Sequence, residues 1–212
     1  MADLQFYFDP VCPWAYITSR WVVEVQEQRG YDVSWKFISL FMINDERGYS
    51  EGGKPWRDGH LSGLYALRVA SAARAAAGNI AVANFYAALG KAIHADKRRP
   101  TDATEMKAFA RTVLEEAGLP VEWAASADDE LHDEVIRHET QYALQLTGKD
   151  VGTPILVFNP ESAKPSSFFG PVISAIPRGA DATRLWDAVE VLATTSGLAE
   201  LKRSLRAAPS FD

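Results

Sequence analysis

The chain is almost without cysteine: Cys12 is the only one in 212 residues. One thiol excludes an internal disulfide and fits a reducing compartment. Long apolar runs are missing too. Nothing approaches the roughly 18 residues that a membrane span requires, so no membrane partner is expected. A basic excess is also absent. With 22 Lys and Arg against 28 Asp and Glu the net charge is -6, which argues against nucleic acid as the main partner. Gly-rich phosphate-binding, Ser-x-x-Lys and Gly-x-Ser-x-Gly motifs are not found, and no flavin or nicotinamide site is legible. The opening Met-Ala-Asp-Leu lacks a basic region and an apolar stretch, so no signal peptide is expected and the expected location is cytoplasmic. What is present is a hydrophobic fraction of 47%, enough for a real core. The length suits one large domain, or one domain with a sizeable insertion.

The stretch that organises the chain is residues 6–16, Phe-Tyr-Phe-Asp-Pro-Val-Cys-Pro-Trp-Ala-Tyr. Leu4 to Phe8 reads as a buried strand, and Asp9-Pro10 breaks it. From Trp14 the pattern turns helical: Ile17, Trp21 and Val25 recur every four residues, and Gly30 supplies a stop. Pro13 suits a first helical turn, where its missing N–H costs nothing. Cys12 is therefore expected at a helix N-terminus, where free amides and the dipole favour the thiolate. A thiol more acidic than the free value of about 8.5 follows. Out of context a lone cysteine is more often a small buried hydrophobe. A second feature points to a nucleophile: Thr153-Pro154 stands directly before the apolar run Ile155 to Phe158, a setting for a cis proline beside Cys12.

Elsewhere, Tyr31 to Leu40 alternates Val33, Trp35 and Phe37 with Ser34 and Lys36, as a second strand does. Residues 41–60 lose periodicity and gather Gly48, Gly52, Gly53 and Pro55, which reads as a long loop carrying Asn44, Tyr49 and Trp56. No strand pattern occurs from Ser62 to Thr147. One helical stripe runs through Leu64, Leu67, Ala70 and Ala73 to Ala77, and another covers Ile80 to His94. Asp102 and Glu105 resemble a capping box for a helix with Met106, Phe109, Val113 and Leu114. A long helix is expected from about Asp128, with Leu131, Val135, Tyr142 and Leu146 on one face and Gly148 ending it. Short strands at Ile155–Phe158 and Ser167–Phe169 follow. A helix from about Asp181 and a second at Leu198 to Arg206 complete the reading.

The order is strand–helix–strand, a helical block, then helix–strand–strand–helix. This is an α/β chain with a thioredoxin-like fold and an inserted all-helical subdomain, the DsbA-like arrangement. Residues 1–40 and 128–212 would form the thioredoxin-like domain, and 41–127 the inserted loop and helices. Several blocks are similar to the actinobacterial mycothiol-dependent nitroreductase family. They are Phe8-Asp9-Pro10-Val11-Cys12-Pro13-Trp14, Ile17-Thr18-Ser19-Arg20-Trp21, Asp150-Val151-Gly152-Thr153-Pro154, Phe168-Phe169-Gly170-Pro171, Ile176-Pro177-Arg178-Gly179, and Leu201-Lys202-Arg203 with Phe211-Asp212. The resemblance implies a cytosolic thiol–disulfide oxidoreductase that exchanges electrons with mycothiol, a low-molecular-weight thiol, and some such enzymes reduce nitro compounds. It also implies that Cys12 is the nucleophile, that Pro13 and Trp14 flank it and that Asn44 lies in a loop facing it. Thr153 and Pro154 would form the edge along which a bound thiol lies.

Ala15 departs from the Cys-x-x-Cys pattern, so a mixed disulfide on Cys12 has no internal thiol to resolve it. That departure keeps a second reading open: a kappa-class glutathione transferase or 2-hydroxychromene-2-carboxylate isomerase type, which activates a bound thiol without forming a disulfide. A non-enzymatic thiol-binding or interaction protein is a third. The expected partners are a small thiol and a small-molecule substrate, and a homodimer is left open. No metal is expected, since His132 and His138 are six apart and fall on different helix faces. Asp9 could move protons for Cys12 or serve only the turn. His94 could face the cleft, and Lys97-Arg98-Arg99 reads as a solvated loop able to attract an anion.

Overall fold

The computed structural model describes residues 3–49, 53–100 and 103–212. β1 (Leu4–Phe8) runs into α1 (Pro13–Arg29) and returns as β2 (Val33–Phe37), parallel to β1. Far along the chain, β3 (Ile155–Phe158) and β4 (Ser166–Phe169) form an antiparallel pair followed by α6 (Gly179–Thr194). The sheet order is β2-β1-β3-β4, with β3 antiparallel to β1. This is the thioredoxin-like arrangement expected from the pattern, and it puts β1 inside the sheet. The residues just past its C-terminal end carry Cys12.

The period-two alternation of a strand sorts the core onto two faces. Leu4, Phe6 and Phe8 join Trp35, Phe37, Leu156 and Phe158 on one side, whereas Tyr7 joins Ile38, Ile155 and Val157 on the other. α1 buries Trp21, Val22 and Val25 against the first face, Ile17 is also fully buried, and Gly30 ends the helix at φ 70, a left-handed conformation that glycine adopts without a Cβ penalty. α6 docks beside it. Trp21 meets Trp186 at 5.3 Å between ring centroids and donates its indole N–H to the Ala182 carbonyl at 2.9 Å.

Between β2 and β3 the chain forms α2 (Leu40–Arg47), α3 (Gly53–Gly90), α4 (Met106–Glu116) and α5 (Asp133–Thr147), with 3-10 turns at Val121–Asp128 and Glu130–His132. No strand occurs there among the described residues. The two helical stripes on either side of Ala77 are two helices, as expected, joined without a loop across the non-helical residues Ala77 and Gly78 and labelled together as α3. Four expectations are corrected. Residues 41–60 are not a loop, because α2 and the start of α3 fill most of them. The long helix begins at Asp133 rather than Asp128. Its expected face is half right: Val135 and Leu146 pack partly buried against the core, but Leu131 lies before the helix and is exposed, Tyr142 is exposed, and the fully buried residues are Ile136, Glu139, Thr140 and Ala143. Leu198 to Arg206 forms no helix, since it finds no surface to bury Leu201 and Leu205 against. Asp102, half of the expected capping box, lies outside the described residues.

Glu139 shows why α5 buries a polar face. Its carboxylate accepts from the Phe37 amide at 2.8 Å, from Arg74 at 2.9 Å and from Lys36 at 3.4 Å. Beside it, the Thr140 hydroxyl accepts from the Ser39 amide at 3.0 Å. These bonds fix the end of β2 and the entry into α2. Glu139→Ala would strand the buried Phe37 N–H and the Arg74 charge, and should lower stability by about 3 kcal/mol in urea unfolding.

Candidate active site

The site is built where β1 ends. Asp9 is completely buried, and its two carboxylate oxygens accept from the Val11 amide at 3.0 Å and the Leu40 amide at 2.8 Å. The first bond shapes the turn, and the second ties it to the start of α2, where the Ser39 hydroxyl also accepts from the Met42 amide. The Cys12 amide donates to the Asp9 carbonyl at 3.1 Å, closing the turn. Cys12 is then the residue before α1, in extended backbone (φ -81, ψ 114), with Pro13 opening the helix as expected. α3 crosses directly over this turn at Gly63. A Cβ there would lie 2.5 Å from Asp9 Oδ1 and 2.9 Å from Val11 Cγ2.

The second half of the site comes from the turn before β3. Thr153-Pro154 is a cis peptide. The Thr153 hydroxyl donates to the Tyr7 carbonyl of β1 at 3.1 Å, which seats the turn on the central strand. The Thr153 carbonyl in turn accepts from the Cys12 thiol, with 3.4 Å between Sγ and O. Cys12, Thr153 and Pro154 therefore meet, across 141 positions of sequence. Pro13 and Trp14 are half-buried beside them at the start of α1, and Ala15 is completely buried.

Asn44 is placed differently from the expectation. It stands on α2, not in a loop, and its side-chain amide donates to the Leu40 carbonyl of its own helix at 2.7 Å. No hydrogen bond to Cys12 or Thr153 is recorded for it among the described residues. Tyr49 and Trp56 form a separate aromatic group around His60: the Tyr49 hydroxyl lies 3.2 Å from His60 Nδ1, and Trp56 is 61% exposed. A surface concavity of about 450 Å³ lined by Tyr16, Arg20, Asn84, Lys91 and Leu119 does not include Cys12. No metal-ligating cluster of His, Cys, Asp and Glu occurs among the described residues. Gly63 escaped the sequence reading, because a glycine within a small-residue helical stripe carries no sign of what it touches.

The electrostatics reverse one expectation. Cys12 is only 7% exposed, and burial pushes its thiol up to about 12, away from the acidity expected of a helix start. The Ala15 amide favours the thiolate, the Asp9 charge opposes it, and the Trp14 amide again favours it. These contributions are smaller than the desolvation of a charged sulfur. Burial also raises Asp9 to about 6, against the pull of the Leu40 and Val11 amides and of Arg99. His94, buried on a π-helical turn (Lys91–Ala95), is lowered to about 4 by desolvation, so it is neutral. Its Nε2 lies 2.9 Å from the Pro10 carbonyl, which can only accept, so Nε2 carries the proton.

A sequence model of the Rv2466c-like family, described as mycothiol-dependent nitroreductase Rv2466c, matches residues 11–203. An uncharacterised protein of Mycobacterium tuberculosis (strain ATCC 25618 / H37Rv), Rv2286c, is 32% identical over 206 residues, spanning 96% of this chain and 82% of that protein. Among solved structures, the cytosolic disulfide reductase DsbM from Pseudomonas aeruginosa is 17% identical with a TM-score of 0.56, covering 89% of this chain and 98% of its own. A 2-hydroxychromene-2-carboxylate isomerase is 14% identical with a TM-score of 0.58, over 89% and 93% of the two chains. At these identities the solved structures establish the fold, which is thioredoxin-like and of DsbA type.

The rate of iodoacetamide alkylation of Cys12 should keep rising with pH through and beyond the free-thiol midpoint of about 8.5. Asp9→Asn removes the adjacent negative charge and should speed alkylation at pH 8 severalfold. A wild-type plateau below pH 8 would show that the helix start outweighs burial.

Proposed function

The chain belongs to the Rv2466c-like family, that of mycothiol-dependent nitroreductase Rv2466c, and from that premise we propose that it is a cytoplasmic thiol–disulfide oxidoreductase working with mycothiol through Cys12. The observation that carries this reading is the meeting of Cys12 Sγ with the Thr153 carbonyl beside the cis proline, at the start of α1. An incoming disulfide can lie along the Thr153-Pro154 edge, bonding its backbone as a strand edge would, with Pro13 and Trp14 flanking the sulfur. Asn44 on α2 is assigned to the same mouth, one turn from Leu40, whose amide holds Asp9.

In the exchange, Cys12 gives up its proton and the thiolate attacks one sulfur of mycothiol disulfide. The S–S bond breaks, a Cys12–mycothiol bond forms, and one mycothiol thiolate leaves. Ala15 offers no sulfur to displace the adduct. A second mycothiol thiolate attacks the mycothiol sulfur of the adduct, which forms mycothiol disulfide and frees Cys12. With mycothiol disulfide as the only partner this is a degenerate exchange, and net reduction follows when the first attack is on a mycothiol–substrate mixed disulfide, from which the substrate thiolate leaves. Directed at a nitro compound, two mycothiols supply two electrons and two protons, giving the nitroso compound, water and mycothiol disulfide. The substrate is a small molecule, and no metal takes part.

Ala15 is the observation that favours a second reading, in which the chain activates a bound thiol for transfer or isomerisation and forms no disulfide. Cys12→Ser separates the two, because the transfer reading survives it.

The decisive test is intact-protein mass after the reduced protein is mixed with mycothiol disulfide and desalted. The expected product carries one mycothiol per chain, absent from Cys12→Ser, and Ala15→Cys should release it without further thiol by closing an internal disulfide. No adduct on a reduced, alkylatable Cys12 would sink the exchange mechanism.

A further inference from the structure

Beyond α6 the chain leaves the body. Residues 199–208 are exposed, and among them Leu201 and Leu205 are 73% and 93% exposed. It then returns: residues 209–211 are half-buried, and the Ser210 amide donates to the Ser174 carbonyl at 2.7 Å. This brings the Phe211 ring into a triangle with two others. Phe211 lies 5.7 Å from His94 with ring planes 24° apart, and 6.1 Å from Tyr16, while Tyr16 and His94 are 5.3 Å apart.

Both residues under Phe211 are bonded to the turn that holds the cysteine, His94 through its ring and Tyr16 through its backbone at the start of α1. His94 donates to the Pro10 carbonyl, and the Tyr16 amide donates to the Cys12 carbonyl at 3.1 Å. The Tyr16 ring also packs on Gly90, where a Cβ would strike it. A segment otherwise exposed to solvent thus ends on the residues that support the 9–12 turn. Cys12 is nearly inaccessible in this arrangement, so any partner that reaches the sulfur needs the turn to yield.

We propose that Phe211 is a positioning residue for Cys12: docked on His94 and Tyr16, it holds the Pro10–Cys12 turn shut over the sulfur, and its release opens the turn to thiol partners. The inference rests on Cys12 being the reactive group but not on which thiol it meets.

The test is alkylation of Cys12 by iodoacetamide in the full chain, followed by intact mass, with the thermal midpoint recorded alongside. Phe211→Ala should react at least fivefold faster than wild type at pH 8, with its pH midpoint displaced toward that of a free thiol. The other titratable groups that face Cys12, Asp9 from its own turn and Tyr86 from α3, are unchanged in this variant. Phe211→Tyr keeps the ring and should return the rate to within twofold of wild type. Ser210→Pro deletes the amide that pins the segment while keeping all three aromatic side chains in the sequence, and by releasing Phe211 should behave like Phe211→Ala. Leu205→Ala, in the exposed part of the same segment, should leave the rate unchanged.

A folded Phe211→Ala that alkylates within twofold of wild type would overturn the proposal, as would a Phe211→Tyr that fails to restore the rate. Loss of the fold in both Phe211→Ala and Ser210→Pro would also overturn it, because Phe211 would then be supporting the whole core. Since iodoacetamide reads the sulfur directly, a missing mycothiol adduct would count against the proposed function and leave this result standing.

Discussion

One buried carboxylate, that of Asp9, sets the terms for the site. It has no cation in contact among the described residues and is stabilised by two backbone amides, one from its own turn and one from the start of α2. The N-terminal end of α2 adds its partial positive charge. The arrangement joins three pieces of chain: the end of β1, the turn that presents Cys12, and the helix that follows β2. It is also costly, since burial raises Asp9 to about 6, and above that pH the folded state holds a charge that the unfolded chain would hold more easily. This group therefore favours the fold most below its unfolded value near 4, and that contribution is lost as pH rises through 6.

The same charge acts against the thiolate a short distance away. At neutral pH the structure holds Asp9 mostly ionised and Cys12 protonated, and each makes charge on the other harder to carry. A proton taken from Cys12 is thus coupled to the state of Asp9. Partner binding that rehydrates the sulfur or supplies hydrogen bonds along Thr153 would shift both groups at once. In such a design the resting thiol is quiet, and reactivity is conferred by what docks against it.

Much of this was legible in the sequence where local pattern and tertiary structure agree. The apolar run before Asp9-Pro10, the four-residue recurrence from Ile17 to Val25 and the Thr153-Pro154 step each carry their own signal, and together they locate the two halves of the site. The failures share a physical cause. α2 buries only Ile43, and its first turn is capped by Ser39 and by Asp9 from another element, so its own residues say little about helix. α5 turns Glu139 and Thr140 inward because they answer polar groups on β2 and α3, whereas a count of apolar positions selects a neighbouring face, of which only Val135 and Leu146 reach the core. The acidity expected at Cys12 followed from the helix start alone, while the depth of burial depends on α3, which no motif announces.

α3 meets this region twice through residues that lack a side chain: Gly63 against Asp9 and Val11, and Gly90 against the Tyr16 ring. The helix is in effect a gauge laid across the first turn of α1 and the loop before it, with both marks defined by the absence of a Cβ. Within either half, a one-residue insertion between its mark and the break at Ala77 and Gly78 would rotate the residues beyond it by about 100° relative to that mark. The non-helical step at Ala77 and Gly78 is where such a change in length could be absorbed, so the kink fixes how far the two ends of the gauge can vary independently.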